Sequence, residues 1–532
     1  MNDLLLAIDA GTESVRVGLF DAAGAPVASA ARGYETQFPR SGWAEQAPQA
    51  WWEALATATR SCMAASGVSP ARIAGISADA TTCTLVPLGR DGTPLRPALL
   101  WMDVRAAGQA QRVFKTGAEA LAYCPAGCSA EWMLPKVLWL KEHEPDVYAG
   151  TASFVEYLDW LMYRLTGRLA LNLSTATHRW FYNCRTWGWP SDLFAAVGLP
   201  RLADKIPHEV LPLGAALGAL SDEAARALGL CAGIPVFQGG GDAFVGMLGL
   251  GVAQPGAACL ITGSSTVVAA FTTDEVHGAG VFGAFPDALV PGLWLLEAGQ
   301  VSTGSILAWF KNNAAQDLPA DQAFAMLDRE AAQVAPGSGG LIVLDYFQGN
   351  RTPYTDAAAR GAIWGLSLHS TRAHIFRAMM EGVAYGTRQI LEVFAGLGCS
   401  AHSLHVCGGA TRSAVHMQIL ADVCGRRLEV PAVAEAPLVG GAVVAATGAG
   451  LYRDFSAAAQ AMVRPGAVYV PGARHAEYDP YFALYKKTYP RLRGMMHKMA
   501  KYRSNDTSAA VTESARTAAA NDTSASGRRS LP

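Results

Sequence analysis

The chain has 532 residues, 51% of them apolar and 16% charged, with a formal net charge of −2. That length exceeds what one hydrophobic core organises and predicts two or three domains, while the near-neutral balance excludes a global bias toward nucleic acid or an anionic membrane. No uninterrupted apolar run reaches the ~18 residues of a membrane span, and no charged segment precedes an apolar one at the N-terminus, so neither a membrane anchor nor a signal peptide is expected.

The first element is an apolar run, Leu4 to Ile8, followed by Asp9-Ala10-Gly11-Thr12-Glu13-Ser14 and an alternating stretch, Val15 to Phe20. This pattern predicts a β-hairpin. Its turn holds an acid, a Gly and small hydroxyls, which suit either a phosphate cradle with a cation or an ordinary turn with Asp as turn former. Helices are predicted over Ala50 to Ala65, Lys136 to His143 and Phe154 to Leu165, and a second hairpin at Asp91-Gly92 after Leu85 to Leu88. The strand Ile234 to Phe237 ends in Gln238-Gly239-Gly240-Gly241-Asp242. Three glycines admit a close approach of backbone or ligand. An acid at the carboxyl end of such a strand either accepts a proton from a substrate hydroxyl or caps the next helix.

The first hairpin has a counterpart in the second half. Ala257 to Ile261 leads into Thr262-Gly263-Ser264-Ser265 and then Thr266 to Phe271. Two strand–Gly/hydroxyl turn–strand units, one opening each half, predict a duplicated α/β fold with a phosphate donor between the halves. No Gly-Lys dipeptide occurs, so a Walker-type P-loop is excluded. Gly278-Ala279-Gly280-Val281-Phe282-Gly283 fits G-x-G-x-x-G, but Ala-Phe-Pro follows it instead of a helix, against a dinucleotide site. His405-Val406-Cys407, Gly408-Gly409 and a helical pattern through Val415, Ile419 and Val423 form a strand, a Gly turn and a helix. That turn suits a flat ring lying on backbone, or a plain connection. Leu438 to Leu451, rich in Gly and Ala, predicts a packed helix, and Lys486 to Lys501 a solvated basic helix face. Residues 504–532, rich in Ser, Thr, Ala and Asn without an apolar period, predict a disordered tail. The ten cysteines are scattered, with Cys124 and Cys128 the one close pair, and predict a reduced, cytoplasmic protein without a metal-binding cysteine cluster.

Taken together, these segments resemble the FGGY family of carbohydrate kinases, a branch of the actin and hexokinase ATPase superfamily. Gly361-Ala362-Ile363-Trp364-Gly365-Leu366, His374-Ile375 and Ala378-Met379-Met380-Glu381 fit its C-terminal signature, and Lys136 to His143 fits the latter part of its N-terminal one. Within the family the chain is most similar to ribulokinases, through Thr12-Glu13-Ser14, Asp79-Ala80-Thr81-Thr82-Cys83, Ser129-Ala130-Glu131-Trp132, Glu297-Ala298-Gly299-Gln300 and Gly349-Asn350-Arg351.

The resemblance implies two actin-like, ribonuclease H-like domains with a cleft between them. Residues 1–252 would carry the sugar and the first phosphate hairpin, 253–500 the second hairpin and the adenosine site, and 501–532 the tail. It implies ATP and Mg2+ as cofactors. Asp242 aligns with the catalytic base and Asp9 with the acid that organises Mg2+. Gly11, Thr12, Glu13 and Ser14, then Gly263, Ser264 and Ser265, align with the phosphate hairpins, and Gly408, Gly409 and Ala410 with the adenosine loop. Asp79, Thr82, Glu131, Arg179, Asp242 and Glu297 fall at the sugar site, where Arg179 replaces the Lys usual in ribulokinases and Thr82 a smaller residue of some relatives. Asp103 is a further polar candidate, and Trp43, Trp101 and Trp132 are candidate stacking surfaces. The implied reaction is ATP-dependent phosphorylation of a ketopentose, ribulose first. Its alternatives are another FGGY substrate (xylulose, another ketose, erythritol or glycerol), an actin-like ATPase module, and a sugar sensor without turnover. Partners are the sugar and ATP, with no nucleic acid or membrane, and a homodimer is left open.

Overall fold

A computed structural model describes residues 3–125, 127–500 and 502. The expected tail, Tyr502 apart, lies outside the described residues. Two large mixed sheets organise the chain. In the first, the strand order is Ala216–Ala219, Pro235–Gly241, Ile73–Ala80, Leu4–Ala10, Ser14–Asp21, Pro26–Gly33. In the second it is Pro465–Tyr469, Arg427–Pro431, Ser403–Gly408, Ala257–Thr262, Thr266–Thr272, Trp294–Gln300, with Phe282–Pro286 added at the edge. Position by position, the first six strands of each sheet run in the same relative directions. The strand that opens each hairpin pairs antiparallel with its hairpin partner and parallel with its other neighbour. The duplication expected from the two hairpins is thus a duplication of whole sheets.

The apolar strand Leu4–Ala10 is buried throughout because both of its faces are covered. Leu4, Leu6, Ile8 and Ala10 join the core of the first half, whereas Leu5 and Ala7 join a core that continues into the second half. The helix Ala436–Gly448, predicted from the Gly/Ala-rich run at Leu438, is what reaches across. It crosses the helix Asp242–Gly249 with backbone against backbone: a Cβ on Gly440 would overlap the carbonyl oxygen of Val245, and one on Gly249 that of Ala436. Small residues serve here to bring two helices of different halves into direct contact.

Local signals fix most other elements. Helix Pro48–Ser66 starts with Pro48 and stops at Gly67 in the left-handed region, and Met133–His143 contains the predicted Lys136 to His143. The expected helix from Phe154 is a correction: Ser153–Glu156 is a strand paired with Leu85–Leu88, and the helix begins at Tyr157 behind a capping box of Glu156 and Asp159. The Asp91-Gly92 turn forms, but it adds only the single bridge Leu88–Pro94 to that strand. Ser403–Gly408, a short 3-10 turn at Gly409–Arg412 and helix Ala414–Cys424 follow the predicted order. The basic segment is helical through residue 500, burying Tyr489 and Met496 while exposing Lys487, Arg491 and Arg493. All ten cysteines are unpaired, and among the described residues no helix is long and apolar enough to cross a membrane.

Gly440→Ala should destabilise the protein by about 1–3 kcal/mol, the usual cost of overpacking a contact that cannot spread. Thermal melts of the two proteins measure this, and an unchanged melting temperature would contradict the backbone contact.

Candidate active site

Three neighbouring parallel strands, Pro235–Gly241, Ile73–Ala80 and Leu4–Ala10, deliver acids to the same sheet edge. Asp9 lies in register with Asp79, Asp79 with Gly240, and Asp242 follows the last strand immediately. The glycines make this convergence fit: a Cβ on Gly239 would overlap the Ala78 carbonyl, and one on Gly241 would stand 2.5 Å from Thr82 Cγ2. Asp9 is paired across the hairpin with Arg16 at 2.9 Å. Burial still raises the Asp9 carboxyl above its ordinary value, against the pull of Arg16. Burial, and then the charges of Asp9 and Asp242, hold Asp79 well above the carboxylate range. Asp242 is pushed up to about 6 by loss of water and then by Asp9. Asp242 Oδ1 accepts from the Ala243 N–H at 2.7 Å, so this residue does sit at the start of its helix. It also lines a cleft of about 370 Å³ between the two halves.

That cleft gathers Thr82, Glu131, Arg179, Asp242 and Glu297, five of the six residues expected at a sugar site. Asp79 is the exception and a correction. It points into the packed layer under helix Ala436–Gly448, where a Cβ on Gly441 would be 3.6 Å from its Oδ2, and both its oxygens are buried without a donor. Thr81 and Thr82, two and three residues further on, enter the cleft instead. Arg179 from the first half meets Glu297 from the second at 3.2 Å, with its Nε 3.5 Å from Thr82 Oγ1. Of the aromatic candidates, Trp101 and Trp132 line the cleft, and Trp101 Nε1 donates to Thr12 Oγ1 at 2.9 Å. Trp43 instead lies beneath Arg105, 3.7 Å from ring centre to guanidinium, and edge-on to Trp139. Asp103 is bound to Arg105 at 2.6 Å and to the Ala44 N–H at 2.7 Å, a buried structural pair away from the cleft.

The wall at Thr82-Cys83 depends on two buried ionisable side chains that sequence reasoning missed. Cys83 has φ 64°, a conformation that costs a side-chain-bearing residue energy. Glu156 Oε2 accepts its N–H at 2.7 Å, and Lys136 Nζ donates to its carbonyl and to that of Leu100 at 2.6 Å each. One ammonium therefore ties together the loops that carry Thr82 and Trp101. Burial lowers Lys136 to about 8 and, with Asp159, raises Glu156 to about 8. The available signal was a lone Lys among Leu134, Pro135, Val137 and Leu138.

A second cavity, of about 710 Å³, lies entirely in the second half. Ser264, Gly409 and Ala410 line it, with Thr303, Gly304 and Ser305 from the start of helix Gly304–Ala314 as partners the sequence did not single out. Behind its lining the backbones approach closely: Gly408 has φ +95°, and a Cβ there would overlap the Thr262 carbonyl. Thr262 Oγ1 donates to the Cys407 carbonyl at 2.7 Å and accepts from the Ala410 N–H at 3.3 Å, tying hairpin to loop. The two hairpin turns close alike, Gly11 N–H on the Ser14 carbonyl at 3.0 Å and Gly263 N–H on the Ser265 carbonyl at 2.8 Å. Thr12 and Ser265 face the smaller cleft, whereas Gly11, Glu13, Ser14 and Gly408 line neither cavity. Thr262 and Gly263 line both, so the second hairpin is the partition between the two spaces.

Comparison with known proteins fits this arrangement. The FGGY family of carbohydrate kinases matches in both parts, its N-terminal domain over residues 4–249 and its C-terminal domain over 258–449. The chain belongs to the FGGY family of carbohydrate kinases. It is 33% identical over 484 residues to a ribulokinase of Anoxybacillus flavithermus, covering 84% of this chain and 86% of that protein. It is 27% identical over 504 residues to a xylulose kinase of Bacillus subtilis, covering 94% and 99%. A solved xylulose kinase from Rhodospirillum rubrum superimposes with a TM-score of 0.84 at 28% identity, over 93% of this chain and all of that one. The chain is a carbohydrate kinase of a family that uses ATP, and its G-x-G-x-x-G segment runs into the edge strand Phe282–Pro286.

The raised Asp242 value has a stability consequence. The unfolded carboxyl ionises near its ordinary 3.8 and the folded one near 6, so this group's penalty sets in as pH rises between those values and stays constant above. Asp242→Asn keeps the acceptor for Ala243 and removes the charge. Its melting temperature should exceed wild type at pH 7–8, with the gap closing toward pH 4. A lower melting temperature at neutral pH would contradict the charge cost.

Proposed function

We propose that the enzyme transfers the γ-phosphoryl group of ATP to the terminal hydroxyl of a ketopentose, ribulose in first place. The observation that carries this reading is the shared partition: a polar cleft holding Asp242 and a nucleotide-sized cavity meet at Thr262 and Gly263. In the proposed division of labour, residues 1–252 carry most of the sugar contacts and residues 253–500 the nucleotide, held at Ser264 and along Gly408, Gly409 and Ala410. The ten unpaired cysteines support a reducing, cytoplasmic setting.

In this reaction Asp242 takes the proton of the sugar hydroxyl as that oxygen bonds to the γ-phosphorus. The bond from that phosphorus to the β–γ bridging oxygen breaks, and ADP leaves with the electron pair. Phosphoryl transfer asks mainly for alignment and charge compensation; in this reading the N–H groups of Thr12 and Ser264 supply donors from the two hairpins, those of Gly11 and Gly263 being taken up within their own turns. Among the described residues no cluster of three or more ligating side chains surrounds a metal position. Asp9, one carboxylate beside a hairpin turn, suits a cation that arrives on the phosphates and takes few protein ligands. Bound with the nucleotide, Mg2+ would supply neutralising charge on the β- and γ-phosphates. Ribulose is placed first because the ribulokinase-like segments surround the cleft and ribulokinases are among the more similar relatives. Xylulose is the second reading, favoured by the xylulose kinases similar in sequence and fold.

Coupled ADP release over L- and D-ribulose, D-xylulose, erythrulose, glycerol and erythritol tests the substrate class, with the highest kcat/KM expected for a ribulose. Asp242→Asn should cut turnover by about two to four orders of magnitude while leaving ATP binding intact. More than a tenth of wild-type turnover in that variant would remove Asp242 from the role of base.

A further inference from the structure

Arg351 is a second arginine in the sugar cleft, and its surroundings differ from those of Arg179. Arg179 spends its guanidinium on Glu297. The Arg351 guanidinium lines the same cleft, half-buried, and makes no hydrogen bond or ion pair with the described residues. Its backbone is held firmly: its carbonyl accepts from Thr355 N–H at 3.0 Å and Thr355 Oγ1 at 2.9 Å, and Asn350 beside it exchanges backbone hydrogen bonds with Asp356 at 2.9 and 2.8 Å. The cation is therefore delivered to the cleft by an ordered loop.

The guanidinium lies against a residue of the same strand as Glu297. Gly299 lies two residues after Glu297 on the strand Trp294–Gln300, hence on the same face. A Cβ at Gly299 would stand 3.5 Å from Arg351 Nη1. The second half thus presents, side by side on one surface, a group that only accepts hydrogen bonds, Glu297, and one that only donates, Arg351. A ketose offers a matching pair on adjacent carbons: a carbonyl oxygen that only accepts, and a hydroxyl that donates.

We propose that Arg351 is a specificity-determining residue that donates to the ketone oxygen of the sugar, with Glu297 accepting from the neighbouring hydroxyl. This rests on the ketopentose reading above and names the part of the substrate that distinguishes a ketose from a polyol. Removing a donor from a buried polar site costs affinity most for the substrate that used it.

The test compares ribulose with ribitol, the polyol that lacks its ketone, in wild type, Arg351→Gln and Arg351→Lys, each checked by its melting temperature. For Arg351→Gln, KM for ribulose should rise at least tenfold, KM for ATP should hold within about twofold, and the ribulose-to-ribitol ratio of kcat/KM should fall at least fivefold. Arg351→Lys, which keeps the charge and loses the fork, should fall between. An unchanged ratio in both variants, or a raised KM for ATP with KM for ribulose unchanged, would overturn the proposal while leaving the ketopentose reading intact. Wild type that phosphorylates neither ribulose nor another ketose would overturn both.

Discussion

Three carboxylic acids at the ends of three adjacent strands cannot all ionise cheaply, and the rest of the site is arranged around that cost. Asp9 is paired with Arg16, the one cation paired within the cluster, while burial raises its carboxyl above the ordinary value. Asp79, enclosed and without a donor, is held toward its protonated form. Asp242, open to the cleft, is left with a carboxyl near 6, ionised at neutral pH yet more basic than an ordinary aspartate. That is the property a proposed general base needs. It follows from parallel strand register and burial before any substrate is considered.

The same economy appears at the scale of the fold. Each half builds one sheet of the same topology and uses its hairpin turn toward the space between them. The halves are not merely adjacent: helix Ala436–Gly448 packs on the first sheet, and its contact with helix Asp242–Gly249 leaves no room for a Cβ at Gly440 or Gly249. Asp242 begins one of these two crossing helices, and the other covers Asp79. The packing that joins the halves is therefore the packing that positions the acids. Arg179 and Glu297 add a second link across the cleft, polar and partly open to it, where a sugar could exchange with it.

Much of this was legible in the residues. Both hairpins, the Gly-Gly-Gly-Asp strand end and the Gly408-Gly409 turn carry local signals, and local signals survive folding. The residues that escaped are those whose role depends on distant neighbours. Phe154 reads as helix until Ser153–Glu156 finds its partner in Leu85–Leu88. Asp79 sits in a motif that points to the sugar, but strand register turns its side chain into the interior beside Asp9. Asp103 and Trp43 look available until Arg105 claims both. Lys136 and Glu156 give no sign in sequence that they meet at Cys83, far from either in the chain. Thr303 to Ser305 are one more small polar turn among many until they appear beside Ser264.

In the proposed reaction a phosphoryl group crosses at Thr262 and Gly263 from one cavity to a hydroxyl in the other. Phosphorus-31 NMR of the full chain turning over ATP, Mg2+ and ribulose observes this directly. One new phosphomonoester resonance, coupled to the protons of a terminal carbon, is expected to grow in step with ADP and without inorganic phosphate. Growth of inorganic phosphate alone, with the sugar unmodified, would contradict it.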